Sequence, residues 1–267
     1  MVGAGRRQRA GASEDASARA ARSPAEAAEG DDADFYEGRD LEALSDMPRY
    51  TSWILAPFRD HLAAARVIEV GAGIGNVAIH YVAATSETLL VEPAPNLHAR
   101  LRDRVAGFRQ ARVLRGRLDQ VPDADRAPGF DAALLINVLE HIDDDRELLI
   151  DLTATLRPGG RLLLFVPALP WLYGSLDAKV QHVRRYTADG LRAAVNGAGL
   201  EVERLRYFDV LGVAPWLVMG RILKRRDFDP GSARFYDKIG VPLTAFVERH
   251  MVPPLGKSLH CICRKPL

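Results

Sequence analysis

Cysteine is nearly absent from this chain: of 267 residues, only Cys261 and Cys263 are cysteine. Two residues apart on an apolar run that reads as a strand, they share one face, and they can neither bridge each other nor build a zinc site alone. A disulfide-stapled or zinc-nucleated fold is thereby excluded, and the pair reads as core filler. Lysine is scarce too, with five residues beside a large arginine complement, a bias that reads as GC-rich, bacterial coding more than phosphate recognition. The net charge is only +1, so the chain lacks the one-sided basic excess of a nucleic-acid binder. No apolar run reaches the ~18 residues of a membrane span, and the N-terminus has no signal-peptide core. A soluble, cytoplasmic protein is expected. No acidic cluster with divalent-metal character stands out, so no metal is expected.

What is present is a core-forming composition, 48% hydrophobic, sufficient for one domain. Residues 1–33 hold no aromatics and almost no branched apolar side chains, so they cannot offset their ordering entropy and read as a disordered tail. The domain is expected over 34–267. Its first part, 34–65, places Phe35, Tyr36, Leu41, Leu44, Tyr50, Trp53, Ile54, Leu55 and Phe58 at amphipathic helical spacing. Two readings stand for this segment: a helix packed on the sheet edge, or a lid over a ligand.

The organising stretch is Val67-Ile-Glu-Val-Gly-Ala-Gly-Ile-Gly75. An apolar run ending in turn chemistry reads as a buried parallel strand. Gly71, Gly73 and Gly75 allow a sharp bend and close ligand approach, and a helix is expected from about Asn76. A dinucleotide fingerprint would need glycine at position 76, where asparagine stands, which argues against a nicotinamide enzyme. A second strand, 87–91, closes at Glu92, 21 residues after Gly71, where an acid can meet a ribose diol. Later come Phe130-Asp-Ala-Ala-Leu-Leu-Ile-Asn-Val-Leu-Glu-His-Ile142, a strand ending near Asn137, and Leu156-Arg-Pro-Gly-Gly160 before a fifth strand.

Together, the acid-led glycine bend, the F-D…V-L-E-H stretch and the R-P-G-G turn resemble the motifs of class I S-adenosylmethionine-dependent methyltransferases. The resemblance covers roughly Arg49 to Leu205 and, more loosely, the last strand. It implies a Rossmann-like, doubly wound α/β sheet of seven strands, mostly parallel with the last antiparallel, helices on both faces and an N-terminal helical lid. It further implies S-adenosylmethionine as cofactor, with Tyr50, Glu69, Gly71, Gly73, Glu92, Leu118, Asp119 and Asn137 as its binding residues. The family's adenine loop commonly has an acid directly after the glycine; here that position is Arg117, so Leu118 and Asp119 are the nearest substitutes.

Substrate choice is expected in two insertions, 167–186 and 209–257. The first crowds Trp171, Tyr173, His182, Arg184, Arg185 and Tyr186 together, as binding loops do. His182, His141 and Tyr186 are the catalytic candidates, because histidine titrates near working pH and an amine or phenol acceptor gains from losing its proton. His141 reads equally as orienting its turn, and Tyr173 and Tyr186 either as substrate contacts or as core packing. Arg184 and Arg185 read either as an exposed pair or as a clamp on an anionic group. The apolar run 210–223, closed by Lys224-Arg-Arg226, reads as a cap helix or an interfacial segment. The expected acceptor is a small organic molecule, hydrophobic or anionic, in bacterial secondary metabolism or glycan tailoring. The rival reading is a cofactor-binding scaffold or regulator without turnover.

Overall fold

The computed structural model describes residue 41 and residues 45–225 and 229–267. The 1–33 tail and Phe35, Tyr36 and Leu44 therefore lie outside the described residues. Seven strands form one sheet: β1 (Arg66–Val70), β2 (Glu87–Glu92), β3 (Ala111–Arg115), β4 (Phe130–Ile136), β5 (Leu156–Pro167), β6 (Glu201–Phe208) and β7 (Ser258–Arg264). Their order is β3-β2-β1-β4-β5-β7-β6. All neighbours are parallel except at β7, which runs antiparallel to both β5 and β6. This is the expected architecture.

The central strands are apolar on both sides because both faces are covered. Ile68, Val70, Leu89, Val91, Ala133 and Leu135 pack with Leu149, Leu152, Leu191 and Val195 of two helices, Asp145–Thr155 and Ala188–Gly197. Val67, Leu90, Ala132, Leu134 and Leu163 pack on the other face with Leu55, Phe58 and Leu62 of the N-terminal helices and with Leu101 and Val105. The helix starts follow local chemistry. Asp144 accepts the Glu147 N–H at 2.9 Å, and Thr187 Oγ1 that of Gly190 at 3.0 Å. Cys261 and Cys263 are buried on one face of β7, as their spacing predicts.

One local expectation fails. No α-helix starts at Asn76; the chain instead forms two short 3₁₀ turns, Ala78–His80 and Val82–Ala84. The break falls at Tyr81, whose hydroxyl turns inward and donates to Glu69 Oε2 at 2.7 Å. A buried carboxyl needs a partner, and that need overrides the helical pattern around it.

Candidate functional site

The sheet reverses its strand order between β1 and β4, and such a switch point opens a crevice at the C-terminal strand ends. Gly71, Gly73 and Gly75 all adopt positive φ there, at 72°, 57° and 79°. A Cβ at Gly71 would lie 2.5 Å from Val138 Cγ2, so glycine is required both by the bend and by the approach of the turn after β4. Glu92 is buried and grips the bend: its Oε2 accepts the Gly73 N–H at 2.8 Å and its Oε1 the Ala94 N–H at 3.0 Å. Asn137 closes the other side in a left-handed conformation (φ 53°), its N–H donating to the Phe165 carbonyl at 2.9 Å.

The remaining expected cofactor contacts sit less directly. The Glu69 carboxyl braces the bend from within through Tyr81, and burial pushes its pKa up to about 8, so it holds a proton at neutral pH. Leu118 is buried and Asp119 exposed on a turn pinned by Arg126, whose guanidinium donates to the Leu118 carbonyl at 2.7 Å. Tyr50 is packed among Ile54, Phe165 and Phe208, its N–H donating to Asp237 Oδ1 at 2.8 Å, and Lys257 Nζ lies 4.8 Å from its ring centre. Burial pushes the Tyr50 phenol up to about 12, so it stays neutral. The segment reading as helix or lid is helical, Pro48–Leu55 and Arg59–Leu62, and packs on the sheet.

A second centre lies at the ends of β4 and β5. Glu140 is fully buried, neither of its oxygens has a hydrogen-bond partner among the described residues, and burial pushes its pKa up to about 8. His182 Nε2 stands 3.7 Å from Glu140 Oε1, while its Nδ1 is 2.9 Å from Asp177 Oδ1. His141 packs edge-on against His182 at 4.9 Å between ring centres. Asp177 is the residue sequence reasoning missed. It is buried and also accepts from Arg185 Nε at 2.7 Å, the Gly174 N–H at 3.0 Å and Trp216 Nε1 at 3.3 Å. Burial raises its pKa, but the hydrogen bond from His182 and the Arg185 charge outweigh that and hold it below the ordinary carboxylate range. Among the described residues, Glu140, His141 and His182 bring ligand atoms within 4.8 Å of one another, a spacing a divalent cation could bridge. No acidic cluster announced it, since two of the three groups are histidines and His182 is remote in sequence.

Three side chains that could have faced a substrate, Tyr186, Arg185 and Arg184, are committed elsewhere. Tyr186 lies in the core, its hydroxyl donating to Asp145 Oδ2 at 2.7 Å; burial and that carboxylate raise its pKa, so it is no base. Arg185 is buried on Asp177, and Arg184 pairs with Asp145 at 3.0 Å, so neither is the exposed pair or the anion clamp anticipated. Beside them lies a further buried pair, Lys257 Nζ to Asp209 Oδ2 at 2.8 Å, with the Tyr236 hydroxyl donating to Asp209 Oδ1. The rings of Tyr50, Trp216 and Tyr236 surround the ammonium. Burial pulls the Lys257 pKa down, but Asp209 and the two tyrosines outweigh it, and the net shift is upward.

A family model described as a methyltransferase domain matches residues 37–205. The chain belongs to the methyltransferase-domain family. Relatives include a ubiquinone biosynthesis O-methyltransferase of Xanthomonas axonopodis pv. citri, 27% identical over 62% of this chain and 73% of that protein. Among solved structures, N-methyltransferase NodS from Bradyrhizobium japonicum, in complex with S-adenosyl-L-homocysteine, covers 82% of this chain and 86% of its own at 14% identity and TM-score 0.53. The [4+2]-cyclase SpnF covers 82% of each chain at 18% identity and TM-score 0.54. Structural likeness at such identities shows the fold. The methyltransferase uses S-adenosylmethionine as its cofactor, and the bend of Gly71, Gly73 and Gly75 lies with Glu92 at the C-terminal strand ends, where open parallel sheets take their ligands. No helix among the described residues is long and apolar enough to cross a membrane.

Proposed function

We propose that this methyltransferase methylates a hydroxyl of a small organic acceptor, with His182 as the general base. The bound cofactor supplies a methyl group already activated on a sulfonium, so the chain's tasks are positioning, exclusion of water and removal of one proton. Glu92 and the glycine bend hold the nucleoside, and the 167–186 and 209–257 segments carry the acceptor side.

The observation that carries this reading is the Asp177–His182 pair. A buried carboxylate fixes Nδ1 as the protonated nitrogen and leaves Nε2 as the acceptor for the substrate proton. Glu140, neutral at rest with its elevated pKa, lies beside Nε2, and its carboxyl oxygen can accept the Nε2–H once the substrate proton has moved there. An oxygen nucleophile also accords with the O-methyltransferase named among the relatives. The fold alone does not fix the reaction, because a [4+2]-cyclase shares it.

The test has two stages. Thermal-shift titration with S-adenosylhomocysteine but not NAD should stabilise the chain. Release of S-adenosylhomocysteine is then followed across a panel of phenolic and alcoholic acceptors for the native chain, His182→Asn and Asp177→Asn. Loss of about 10²–10⁴-fold in kcat for His182→Asn, with cofactor affinity unchanged, supports the base. Turnover undiminished in His182→Asn removes it from the chemistry. Cofactor binding with no methylated product from any acceptor supports a scaffold or regulator instead.

A further inference from the structure

The helical run from Pro230 to His250 is built inside out. Its inward stripe is Ala233, Asp237, Val241, Thr244 and Glu248, three of them polar. Its carboxylates serve the interior: Asp237 accepts the Tyr50 N–H and Glu248 Oε1 the Val210 N–H at 2.9 Å. The outward stripe is Phe235, Ile239, Leu243 and Phe246, exposed by 66%, 50%, 54% and 63%. Spacings of four, four and three place these four on one face. The run continues into Met251 and Val252, the latter 75% exposed. Beside it lies a shallow groove of about 420 Å³ lined by Pro48, Trp53, Val241 and Pro242 among others. An ordinary surface helix turns its charges outward; this one turns four large apolar side chains to solvent.

The exposed charges in this run and just before it are mainly positive. Among the described residues from 218 to 255, Arg221, Lys224, Arg225, Arg234, Lys238 and Arg249 are exposed cations, and Asp229 is the exposed acid. Arg234 faces Asp46 at 3.2 Å, which leaves the excess strongly positive. The whole chain carries a net charge of only +1, so this excess is local.

We propose that this face docks on the surface of an anionic lipid bilayer. Phe235, Ile239, Leu243 and Phe246 enter the boundary between headgroups and acyl chains, and Lys238 and Arg249 meet lipid phosphates, the pattern of an interfacial amphipathic helix. The contact is peripheral, since no described helix can span. A second copy of the chain is the poorer occupant. A two-fold contact would set the patch on itself, and with it Lys238 and Arg249 of one copy among the same cations of the other. This inference stands independently of the acceptor's identity.

The experiment is co-sedimentation of the full chain with phosphatidylcholine vesicles and with vesicles of phosphatidylcholine and phosphatidylglycerol in equal parts. S-adenosylhomocysteine thermal shift serves as the control for folding and cofactor binding. Binding is expected to the anionic vesicles and not the neutral ones, and to weaken with salt. Lys238→Glu/Arg249→Glu should weaken it about thirtyfold or more, and Phe235→Ser/Phe246→Ser tenfold or more, with the cofactor shift intact. The proposal is overturned if the native chain ignores the anionic vesicles or if both variants bind as it does. It is also overturned if the chain is a dimer in sedimentation velocity that Phe235→Ser/Phe246→Ser dissolves.

Discussion

Replacing Glu92 by alanine separates two jobs that the structure gives to one carboxylate. The first is internal. The side chain accepts buried N–H groups from Gly73 at 2.8 Å and Ala94 at 3.0 Å, and hydrogen bonds to a charged group contribute about 1.5–3 kcal/mol each. Alanine should therefore destabilise the chain by at least about 3 kcal/mol, a fall of roughly 6–12 °C in Tm for a domain of this size. The second job is the proposed grip on the ribose diol. Losing one charge-assisted bond costs about tenfold in Kd and losing both about a hundredfold. Thermal unfolding without ligand measures the first, and calorimetry with S-adenosylhomocysteine, at a temperature where the variant is folded, measures the second. Glu92→Gln, which keeps an acceptor for one N–H, should recover part of the stability and less of the affinity. A large drop in Tm with unchanged Kd would refute the reasoning: Glu92 would then be a strut of the bend and not a cofactor ligand.

Lys257→Met should cost about 3–5 kcal/mol in urea unfolding, because it strands the buried Asp209 carboxylate, whereas Asp209→Asn/Lys257→Met should cost clearly less than the single change. Stability should also fall as pH rises from 6.5 to 8. Glu69 and Glu140 are held protonated in the folded chain up to about pH 8, but ionise near 4.5 when unfolded. Their contribution is complete below the unfolded value and is lost as pH passes through the folded one, at up to about 1.4 kcal/mol per pH unit for each group. His260, pushed down to about 3 by burial, acts in the opposite sense below 6.5, so the window above it isolates the two acids. Urea titrations across that window should give a shallower slope for Glu140→Gln; an unchanged slope removes Glu140 from the account.

Much of the frame was legible because it rests on patterns with one physical cause each. Buried parallel strands must be apolar on both faces, and β1, β2, β4 and β5 read that way directly. Glycines at positive φ announce a bend, and a threonine or aspartate before a periodic run announces a helix start. The aborted helix after Asn76 was not legible, since it depends on Tyr81 finding Glu69 across the bend. The second centre was half legible. His141 and His182 stood out by type, but Asp177, which fixes the tautomer, reads as an ordinary aspartate of the 167–186 insertion until folding buries it beside Arg185. The same long-range pairing removed Arg185 from the surface roles its sequence neighbourhood suggested, and it decided between the two readings of Tyr186 in favour of the core.

The two rims of the sheet use charge in opposite ways, and that contrast locates function more firmly than any single motif. At the N-terminal strand ends, Arg66 with Glu87, Arg112 with Asp125, Arg157 with Asp131 and Arg161 with Glu203 form pairs with at least one half-exposed or exposed partner. Pairs of that kind contribute little and are screened by salt. At the C-terminal ends, Glu92, Glu140, Asp177 with Arg185, and Asp209 with Lys257 are taken out of water, at a desolvation cost that well-packed apolar residues would avoid. A fold seeking only stability has no reason to gather these groups on one rim. Glu140 is the sharpest case, because a buried carboxyl whose oxygens find no hydrogen-bond partner among the described residues is costly to the fold. Its retention beside His182 makes sense where a positive charge develops during the reaction, which is the moment the proposed proton transfer creates one.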